Sequence, residues 1–471
     1  MSFKKGEEIE LRIESAAFEG KGIGKIDNIA IFVKNTAPGD LARVRIIKKK
    51  KRFCEGVLLE ILEKGPERIE PRCQHALTCG GCSWQHVTYQ CQLDFKTHHV
   101  RDHLHRIGNF PDIEPKQTLG SEIEFGYRNK MEYTFGARRW LSDEEINNET
   151  EIIGKHFALG LHVPGRYDRI LDLNECHLQE PISFEIMDYI RNFALDNHIK
   201  PYDVHHKQGF FRNVMIRNSP ITKDLMVNLV TFRDDKNIMR SLSDALLKNF
   251  PEITTIVNNI NDTASPTSEG RIEKIYHGPG FITDKIGSYS YEIDANTFFQ
   301  TNTLQAERLY SVAKTYAEIK ENDVVYDLYC GLGSLSLFVS PEAQKVVGIE
   351  LNEKSINKAR ENALKNEVDN CVFELGDIKD TFSDELIGRH GKPDVILTDP
   401  PRPGMHPQVI EKLLELEIPR IVYVSCNSAT LSRDLDMLRE KYDVLEVQPV
   451  DMFPQTYHIE TVAKLSLKPL K

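Results

Sequence analysis

The sequence predicts a multidomain protein with an N-terminal β-barrel, an α+β middle domain and a C-terminal α/β domain built on a doubly wound parallel sheet. A chain of 471 residues is too long for one hydrophobic core. It begins with short alternating strands, whereas from about residue 290 onward strands, glycine turns and helices follow each other regularly. We expect the three domains to span residues 1–64, 65–285 and 286–471.

The N-terminal barrel is predicted from four segments of alternating apolar and polar residues, separated by Gly and Pro turns. These segments are Glu10–Ile13, Ile29–Val33, Leu41–Ile46 and Gly56–Ile61. Residues 16–24 and 38–40 of the same region resemble the TRAM domain, an OB-like module that binds RNA. The resemblance implies that this domain contacts RNA.

The net charge of −11 argues by itself against a nucleic-acid partner, because the field of the whole protein repels polyanions. The charge is unevenly distributed, however. Residues 1–64 carry 14 Lys and Arg against 10 Asp and Glu, including the unbroken run Lys48–Arg52. Such a run is more often the solvated tip of a hairpin than a binding site, so the sequence leaves both interpretations open.

Composition excludes several classes of protein. With 40% hydrophobic and 28% charged residues the chain is typical of a globular protein, and no apolar run reaches the roughly 18 residues of a membrane helix. The N-terminus lacks the apolar stretch of a signal peptide. We therefore expect a cytoplasmic protein, and we expect it to be a monomer. In that compartment nine cysteines, an odd number, point to metal binding or catalysis and not to disulfides.

The middle domain combines strand-like and helix-like segments. Strands are predicted at Lys130–Phe135, Leu225–Phe232 and Ile256–Ile260, and a helix near 182–196. A further helix from about 87 to 107 has apolar residues at nearly helical spacing. We expect this helix to dock on the C-terminal domain.

Three closely spaced cysteines, Cys73, Cys79 and Cys82, indicate a metal site, with Cys176 as a distant fourth ligand. Zinc usually takes two short-spaced pairs, which this chain lacks, whereas three clustered cysteines and a fourth suit a cubane. Spacing alone leaves zinc and iron–sulfur both open. Unrelated core cysteines are a weaker alternative, because Gly80 and Gly81 are typical of a ligand loop.

The strand Val324–Leu328 runs into a turn with Gly331 and Gly333, where the backbone can approach a ligand closely. Glu350 ends the next strand, where a carboxylate can bind ribose hydroxyls. A dinucleotide site is the alternative, but its third glycine would fall at Ser336. The pattern instead resembles motif one of the Rossmann-like class I S-adenosylmethionine methyltransferases. Asp377 and Asp399 follow the third and fourth strands.

Cys426 ends the apolar run Arg420–Ser425, and a thiol at the end of such a strand faces a ligand cleft. A buried structural cysteine is the alternative. Asp399-Pro-Pro-Arg-Pro-Gly404 together with Ile421–Thr430, and Asp451–Glu460, resemble the two signatures of RNA 5-methyluridine methyltransferases. This resemblance covers nearly the whole chain.

The resemblance implies roles for particular residues. Cys426 attacks carbon 6 of uracil and Glu460 removes the proton from carbon 5, with His458 as a lesser candidate base. A [4Fe–4S] cluster is implied at Cys73, Cys79, Cys82 and Cys176. Ser334 stands where asparagine is common in the family. The residues implied to bind S-adenosylmethionine are Gln300, Tyr329, Gly331, Gly333, Ser334, Glu350, Asp377 and Asp399.

The expected function is S-adenosylmethionine-dependent methylation of carbon 5 of a uridine in structured RNA. The resemblance implies 23S rRNA over tRNA, because the tRNA members of the family generally lack the N-terminal barrel, and the uridine should be flipped out of a loop. A tRNA enzyme is the alternative within the family. An RNA-binding scaffold with a degenerate methyltransferase fold would have lost Cys426 or Glu460, yet both are present. An iron–sulfur redox protein would not need the two signatures.

Overall fold

The fold comes from a computed structural model that describes residues 3–147, 152, 154–263 and 269–469. Its N-terminal sheet contains six strands in the order β1-β5-β6-β4-β3-β2. The amide of Glu14 donates to the carbonyl of Ile23 at 2.8 Å, which closes the sheet toward a barrel. The strands are β1 Glu8–Arg12, β2 Ser15–Ala16, β3 Gly22–Ile26, β4 Ile29–Val33, β5 Leu41–Lys49 and β6 Phe53–Glu63.

Buried apolar residues alternate with exposed charged residues along β5, and this alternation explains why the domain folds as a barrel. Ala42, Val44 and Ile46 are fully buried, while Arg43 and Arg45 between them are exposed. Inward-facing residues of a small barrel fill its interior in this way. The basic run Lys48–Arg52 lies at the tip of the β5–β6 hairpin, as one of the two interpretations predicted.

The predicted helix between the first two sheets is confirmed as α1, Tyr89–Arg106. The middle sheet follows, with the order β13-β12-β11-β10-β7-β8-β9. Its strands are β7 Lys130–Gly136, β8 Ala158–His162, β9 Ile170–Asp172, β10 Phe211–Asn218, β11 Leu225–Thr231, β12 Thr255–Ile260 and β13 Ile272–His277. Its helices are α2 Asp143–Asn147, α3 Pro181–Asp196 and α4 Lys236–Asn249.

A hairpin of β14 Phe281–Ile286 and β15 Tyr289–Asp294 leads into the C-terminal sheet, whose order is β18-β17-β16-β19-β20-β22-β21. The strands are β16 Val324–Leu328, β17 Lys345–Glu350, β18 Cys371–Leu375, β19 Val395–Thr398, β20 Arg420–Ser425, β21 Tyr442–Val450 and β22 Glu460–Leu467. The helices are α5 Thr303–Ala317, α6 Ser334–Val339, α7 Glu353–Lys365, α8 Ile378–Thr381, α9 Asp384–His390, α10 Pro407–Leu416 and α11 Ser428–Leu438.

The first five strands of this sheet are parallel and largely buried, as near-continuous apolar runs predict. The chain reverses its direction of winding between β16 and β19, and ligands bind at such a switch point, beyond the carboxyl ends of the strands. β22 inserts antiparallel between β20 and β21. No helix among the described residues is long and apolar enough to cross a membrane.

Candidate active site

Cys426 and Glu460 meet where two neighbouring strands end. β20 and β22 are antiparallel, and Ser425 pairs with Thr461. The next pair in this register brings Cys426 opposite Glu460, and opposite residues of an antiparallel pair have Cα atoms roughly 5 Å apart. Two residues separated by 34 positions in the sequence are thus brought together by the insertion of β22.

Asp399 completes an acidic group with these two residues. It follows β19, whose last residue Thr398 pairs with Tyr423 of β20. Burial raises the pKa of Asp399 to about 7. The pKa of Glu460 is raised well above its usual range, first by burial and then by the negative charge of Asp399. Because the two buried carboxylates repel each other, at least one of them holds a proton at neutral pH.

The thiol of Cys426 is protonated at rest. Burial raises its pKa to about 11, and the negative charges of Glu460 and Asp399 act in the same direction. The guanidinium of Arg402 opposes this rise. A thiolate is the reactive form of cysteine, so the site must remove a proton before or during attack.

Arg402 links the Asp399 turn to the loops of Cys426 and Glu460. Its carbonyl accepts hydrogen bonds from Asn427 Nδ2 at 3.2 Å and from Thr430 Oγ1 at 3.1 Å. Its Nη2 donates to His458 Nδ1 at 3.3 Å. Burial lowers the pKa of His458 to about 4, and the charge of Arg402 lowers it further. A histidine with this pKa is a weak base, which favours Glu460 for proton removal.

A cavity lies beside this acidic group, at the carboxyl end of β16. Five of the predicted cofactor residues line it, together with Phe298, Tyr310 and Asp327. These five are Gln300, Tyr329, Gly331, Ser334 and Asp399. Gly331 adopts a φ of 55°, and a Cβ atom added there would meet nothing within 4 Å. The turn therefore leaves open space next to the backbone, as a bound ligand requires.

The other three predicted cofactor residues do not belong to the described lining of this cavity. Glu350 accepts a hydrogen bond from the amide of Gly331 at 3.1 Å and so stabilises the turn. Gly333 has a φ of 79°, and an added Cβ would lie 2.9 Å from the ring of Phe373. Asp377 caps α8 and pairs with Lys379 at 3.0 Å, and two strands separate β18, which it follows, from β19, which Asp399 follows.

Sequence reasoning did not assign the other seven lining residues of the cavity, among which Asp327, Tyr310 and Phe298 bear on its chemistry. Asp327 is buried within β16, and burial raises its pKa to about 7. The Tyr310 hydroxyl lies 2.7 Å from Ser334 Oγ. Phe298 is 71% exposed, an unusual state for a large aromatic beside a cavity. Its position two residues before Gln300, in Phe298-Phe-Gln-Thr-Asn302, is the one signal the sequence offered.

The cavity suits a cationic ligand. Asp327 and Asp399 are two carboxyl groups whose pKa values burial raises to about 7. A positive charge placed between them would favour their ionised forms and would be attracted by them in turn. Backbone groups of the Gly331 turn and the amide of Gln300 add neutral hydrogen-bonding partners.

The four predicted metal ligands line one small cavity in the middle of the chain. Burial raises the pKa of Cys79 and of Cys82 to about 12, and that of Cys73 to about 11. Burial also raises the pKa of Cys176, which the amide of Leu178 and the Tyr133 hydroxyl oppose. That hydroxyl is fully buried.

No three Cys, His, Asp or Glu side chains in the described ranges stand close enough to hold a single metal ion. A cubane differs in this respect, because each of its cysteines binds a separate iron. Four cysteines around one cavity are the ligand set that such a cluster takes.

Comparison with known proteins decides the family. The TRAM domain family matches residues 2–59 and a methyltransferase domain family matches residues 319–452. An uncharacterized RNA methyltransferase of Porphyromonas gingivalis is 40% identical over 464 residues, which cover 97% of this chain and 99% of that protein. Another from Chlorobaculum tepidum is 39% identical over 98% of this chain and 96% of that protein. The chain belongs to this RNA methyltransferase family.

A solved structure resembles this RNA methyltransferase along almost its whole length. It is the crystal structure of the Pyrococcus abyssi tRNA (uracil-54, C5)-methyltransferase in complex with S-adenosyl-L-homocysteine, with 29% identity and a TM-score of 0.75. The match covers 97% of this chain and 100% of that one. The predicted TRAM domain and methyltransferase fold are thereby confirmed, and S-adenosylmethionine is supported as the cofactor.

Proposed function

We propose that this enzyme methylates carbon 5 of a uridine in structured RNA, with 23S rRNA as the target. The observation that carries the proposal is the register of β20 and β22, which sets the Cys426 thiol opposite the Glu460 carboxyl. Asp399 and the cavity at the end of β16 adjoin this pair. A nucleophile, a proton acceptor and a cofactor site thus share one cleft, as covalent catalysis on uracil requires.

The protonation states of Cys426, Glu460 and Asp399 indicate how the reaction proceeds. Carbon 5 of uracil is a poor nucleophile until a thiolate adds to carbon 6. As the sulfur–carbon bond forms, the ring electrons move toward the O4 oxygen, where a protonated carboxyl group can stabilise them by donating a hydrogen bond. Asp399, whose pKa burial raises to about 7, can be this donor, which leaves Glu460 as the proton acceptor of the later step.

S-adenosylmethionine supplies an electrophilic methyl group to carbon 5 when it is bound. The ring then carries both a methyl group and a proton on carbon 5. Glu460, in its ionised form, takes that proton, the electron pair re-forms the double bond, and the bond from carbon 6 to Cys426 breaks. Methylated uridine and the Cys426 thiolate result, and the thiolate regains the proton that the Cys426 thiol gave to the neighbouring Asp399 on attack. Exposed Phe298 at the cavity rim offers an aromatic face on which a flipped base can stack.

Transfer RNA is a second candidate substrate, favoured by a specific observation. The tRNA (uracil-54, C5)-methyltransferase matches 97% of this chain, which leaves only about 14 residues of the 471 unmatched. That number is too small to omit the N-terminal barrel, which spans β1 to β6. A barrel of this kind therefore does not distinguish an rRNA enzyme from a tRNA enzyme.

The decisive experiment maps 5-methyluridine in the rRNA and tRNA of a strain that lacks this protein. We expect one or more sites in 23S rRNA to lose the modification and to regain it when the wild-type protein is restored. Loss confined to tRNA would transfer the proposal to the second substrate. An unchanged set of 5-methyluridines in both RNAs would contradict the proposed function.

We also propose that Cys73, Cys79, Cys82 and Cys176 hold a [4Fe–4S] cluster. The support is their position around one cavity, with the buried Tyr133 hydroxyl next to the thiol of Cys176. Cluster binding would replace four buried thiols, whose pKa values are raised, with bound thiolates, and would release their protons.

Protein purified without oxygen should be brown and contain about four irons per chain. Cys82→Ser should lose the colour and most of the iron, because one corner of the cluster is left without its thiolate. Cys371→Ser is the matched control, since Cys371 lies in β18 of a different sheet. Iron analysis and the visible spectrum measure both. A colourless protein with stoichiometric zinc would contradict the cluster.

The tip of the β5–β6 hairpin is proposed to contact RNA phosphates. Its exposed cations protrude from the TRAM domain at the turn between two long strands. Lys48 is partly neutralised by Glu55, whose carboxylate lies 3.0 Å from Nζ. Lys50, Lys51 and Arg52 at the turn itself are the better candidates for phosphate contacts.

Changing Lys50, Lys51 and Arg52 together to Ser should weaken RNA binding about tenfold. The slope of log K against log salt should also become shallower, by up to ~3. Counterions released by three phosphate contacts account for this slope. A charge-matched control changes three exposed cations of α4, Lys236, Arg240 and Lys248. Filter binding at several salt concentrations gives both slopes. Equal slopes in the variant and the wild type would show that the basic run Lys48–Arg52 is a solvated hairpin tip that does not contact RNA.

A further inference from the structure

The segment that carries Glu460 is anchored at Gln455. We call residues 451–460 the base loop and residues 73–85 the cysteine loop. The carbonyl of Gln455 accepts hydrogen bonds from the amides of Ser83 at 2.8 Å and Trp84 at 3.0 Å. Both donors directly follow Cys82, so the cysteine loop and the base loop are joined through this one carbonyl.

Helix α1 holds the same residue from the other side. Gln455 N donates to Gln92 Oε1 at 3.0 Å, and Gln92 Nε2 donates back to Gln455 Oε1 at 3.1 Å. Gln455 Nε2 donates to Glu124 Oε2 at 3.2 Å. Main chain and side chain of Gln455 thus make five hydrogen bonds with three different segments. Gln455 itself is only 3% exposed.

The backbone of Gln455 is in an uncommon conformation. Its φ is 70°, in the left-handed region that non-glycine residues seldom adopt. Such a conformation is strained and persists only where the surrounding contacts determine it. Here the five hydrogen bonds do so. Backbone strain of this kind concentrates at functional sites, and Glu460 follows only five residues later.

The start of the base loop is fixed on α1 as well. Lys96 Nζ and Asp451 Oδ1 are 2.6 Å apart, and both side chains are fully buried. Tyr89 donates to the other carboxylate oxygen of Asp451 at 2.9 Å. The loop is therefore attached to α1 at its first residue and again at Gln455, which leaves the segment from 456 to 460 little freedom before β22 begins.

We propose that Gln455 is a positioning residue that holds the Glu460 carboxyl in place for proton removal by tying the base loop to α1 and to the cysteine loop. The inference rests on the proposed function, because it assumes that Glu460 is the base. Gln455 is a buried residue of the base loop itself. It acts on Glu460 by fixing the backbone conformation of residues 456–460. The hydrogen bonds from Ser83 and Trp84 to its carbonyl connect the cysteine loop to the segment that carries Glu460.

Two variants test the proposal. Gln455→Gly keeps the left-handed backbone accessible and removes the side-chain amide, and Gln92→Leu removes the partner on α1. Gln90→Leu is the matched control, since Gln90 is an exposed glutamine of the same helix. We expect kcat to fall about 10- to 100-fold in both variants, as small misplacements of catalytic groups produce, with KM for RNA within about twofold. The Gln90 variant should keep the wild-type kcat.

A second measurement separates positioning from general damage. Trapping by RNA that contains 5-fluorouridine needs attack and methyl transfer but no proton removal, because fluorine cannot leave as a proton. The trapping rate of both variants should stay within about twofold of the wild-type rate. With normal RNA, a methylated RNA–protein adduct should accumulate, visible on a denaturing gel.

Three results would overturn the inference. Wild-type kcat in Gln455→Gly and Gln92→Leu would show that the junction is not needed. Parallel losses of turnover, trapping and affinity for S-adenosylhomocysteine would show a merely structural role. A loss of turnover without any adduct would place the defect before methyl transfer. These results can be told apart from a failure of the proposed function. In that case the wild-type enzyme itself would form no adduct with 5-fluorouridine RNA.

Discussion

Cys426→Ala should lose methyl transfer by at least about 10⁴-fold, while its affinity for S-adenosylhomocysteine changes less than about threefold. The thiol acts on the RNA base, whereas the described lining of the cofactor cavity belongs to other residues. Without a bond to carbon 6, carbon 5 of uracil does not become nucleophilic. Transfer of a labelled methyl group to RNA measures the first quantity, and calorimetry with S-adenosylhomocysteine measures the second.

Cys371→Ala serves as the control, because Cys371 also sits on the C-terminal sheet but lies at the far edge strand β18. It should retain wild-type activity. RNA with 5-fluorouridine should trap the wild-type protein and the control covalently, and should leave Cys426→Ala free. Residual turnover above about 1% in Cys426→Ala, or an adduct at another cysteine, would refute the assignment of the nucleophile.

The protonation state of Cys426 gives the same prediction a pH dependence. With a pKa of about 11, roughly one thiol in ten thousand is ionised at pH 7. Alkylation of Cys426 in the free enzyme should therefore speed up about tenfold for each pH unit from 7 to 10, because only the thiolate reacts. Arg402→Leu should slow alkylation further, since Arg402 lowers the pKa of this thiol. Peptide mass spectrometry after timed alkylation measures these rates.

Sequence patterns located the residues that depend on local structure. Cys426, Asp399 and the Gly331 turn each follow a buried parallel strand, and the carboxyl ends of such strands form the ligand cleft whatever their order. The helix from Tyr89 to Arg106 followed from its apolar spacing in the same way. Each of these features is encoded within about twenty residues of chain.

The remaining features depend on contacts between distant segments. Glu460 meets Cys426 only because β22 inserts antiparallel between β20 and β21, and no local pattern specifies this order. Apolar spacing could not predict that α1 also buries Lys96 against Asp451. Glu350 ends a strand and Asp377 follows one, as the family pattern requires; their side chains contact Gly331 and Lys379, and their roles as cofactor contacts stay predictions. Strand ends indicate a site, whereas tertiary packing decides which side chains face it.

Glu460→Gln should bind and attack RNA normally but fail to release it, with kcat reduced about 10²- to 10⁴-fold. The carboxyl is buried and the amide has nearly the same shape, so the fold is preserved. The negative charge of Glu460 raises the pKa of Cys426, and its removal should therefore make attack equally fast or faster. The amide cannot accept the proton from carbon 5, so a methylated RNA–protein adduct accumulates. Labelled methyl groups that migrate with the protein on a denaturing gel measure it.

His458→Gln is the matched control for this prediction. Burial and the charge of Arg402 lower the pKa of His458 to about 4, which makes it a weak base at neutral pH. It also accepts a hydrogen bond from Arg402, so its loss should weaken substrate positioning without blocking elimination. We expect no stable adduct in this variant. If His458→Gln accumulates the methylated adduct and Glu460→Gln turns over normally, the histidine is the base, and the register of β20 with β22 has a structural role only.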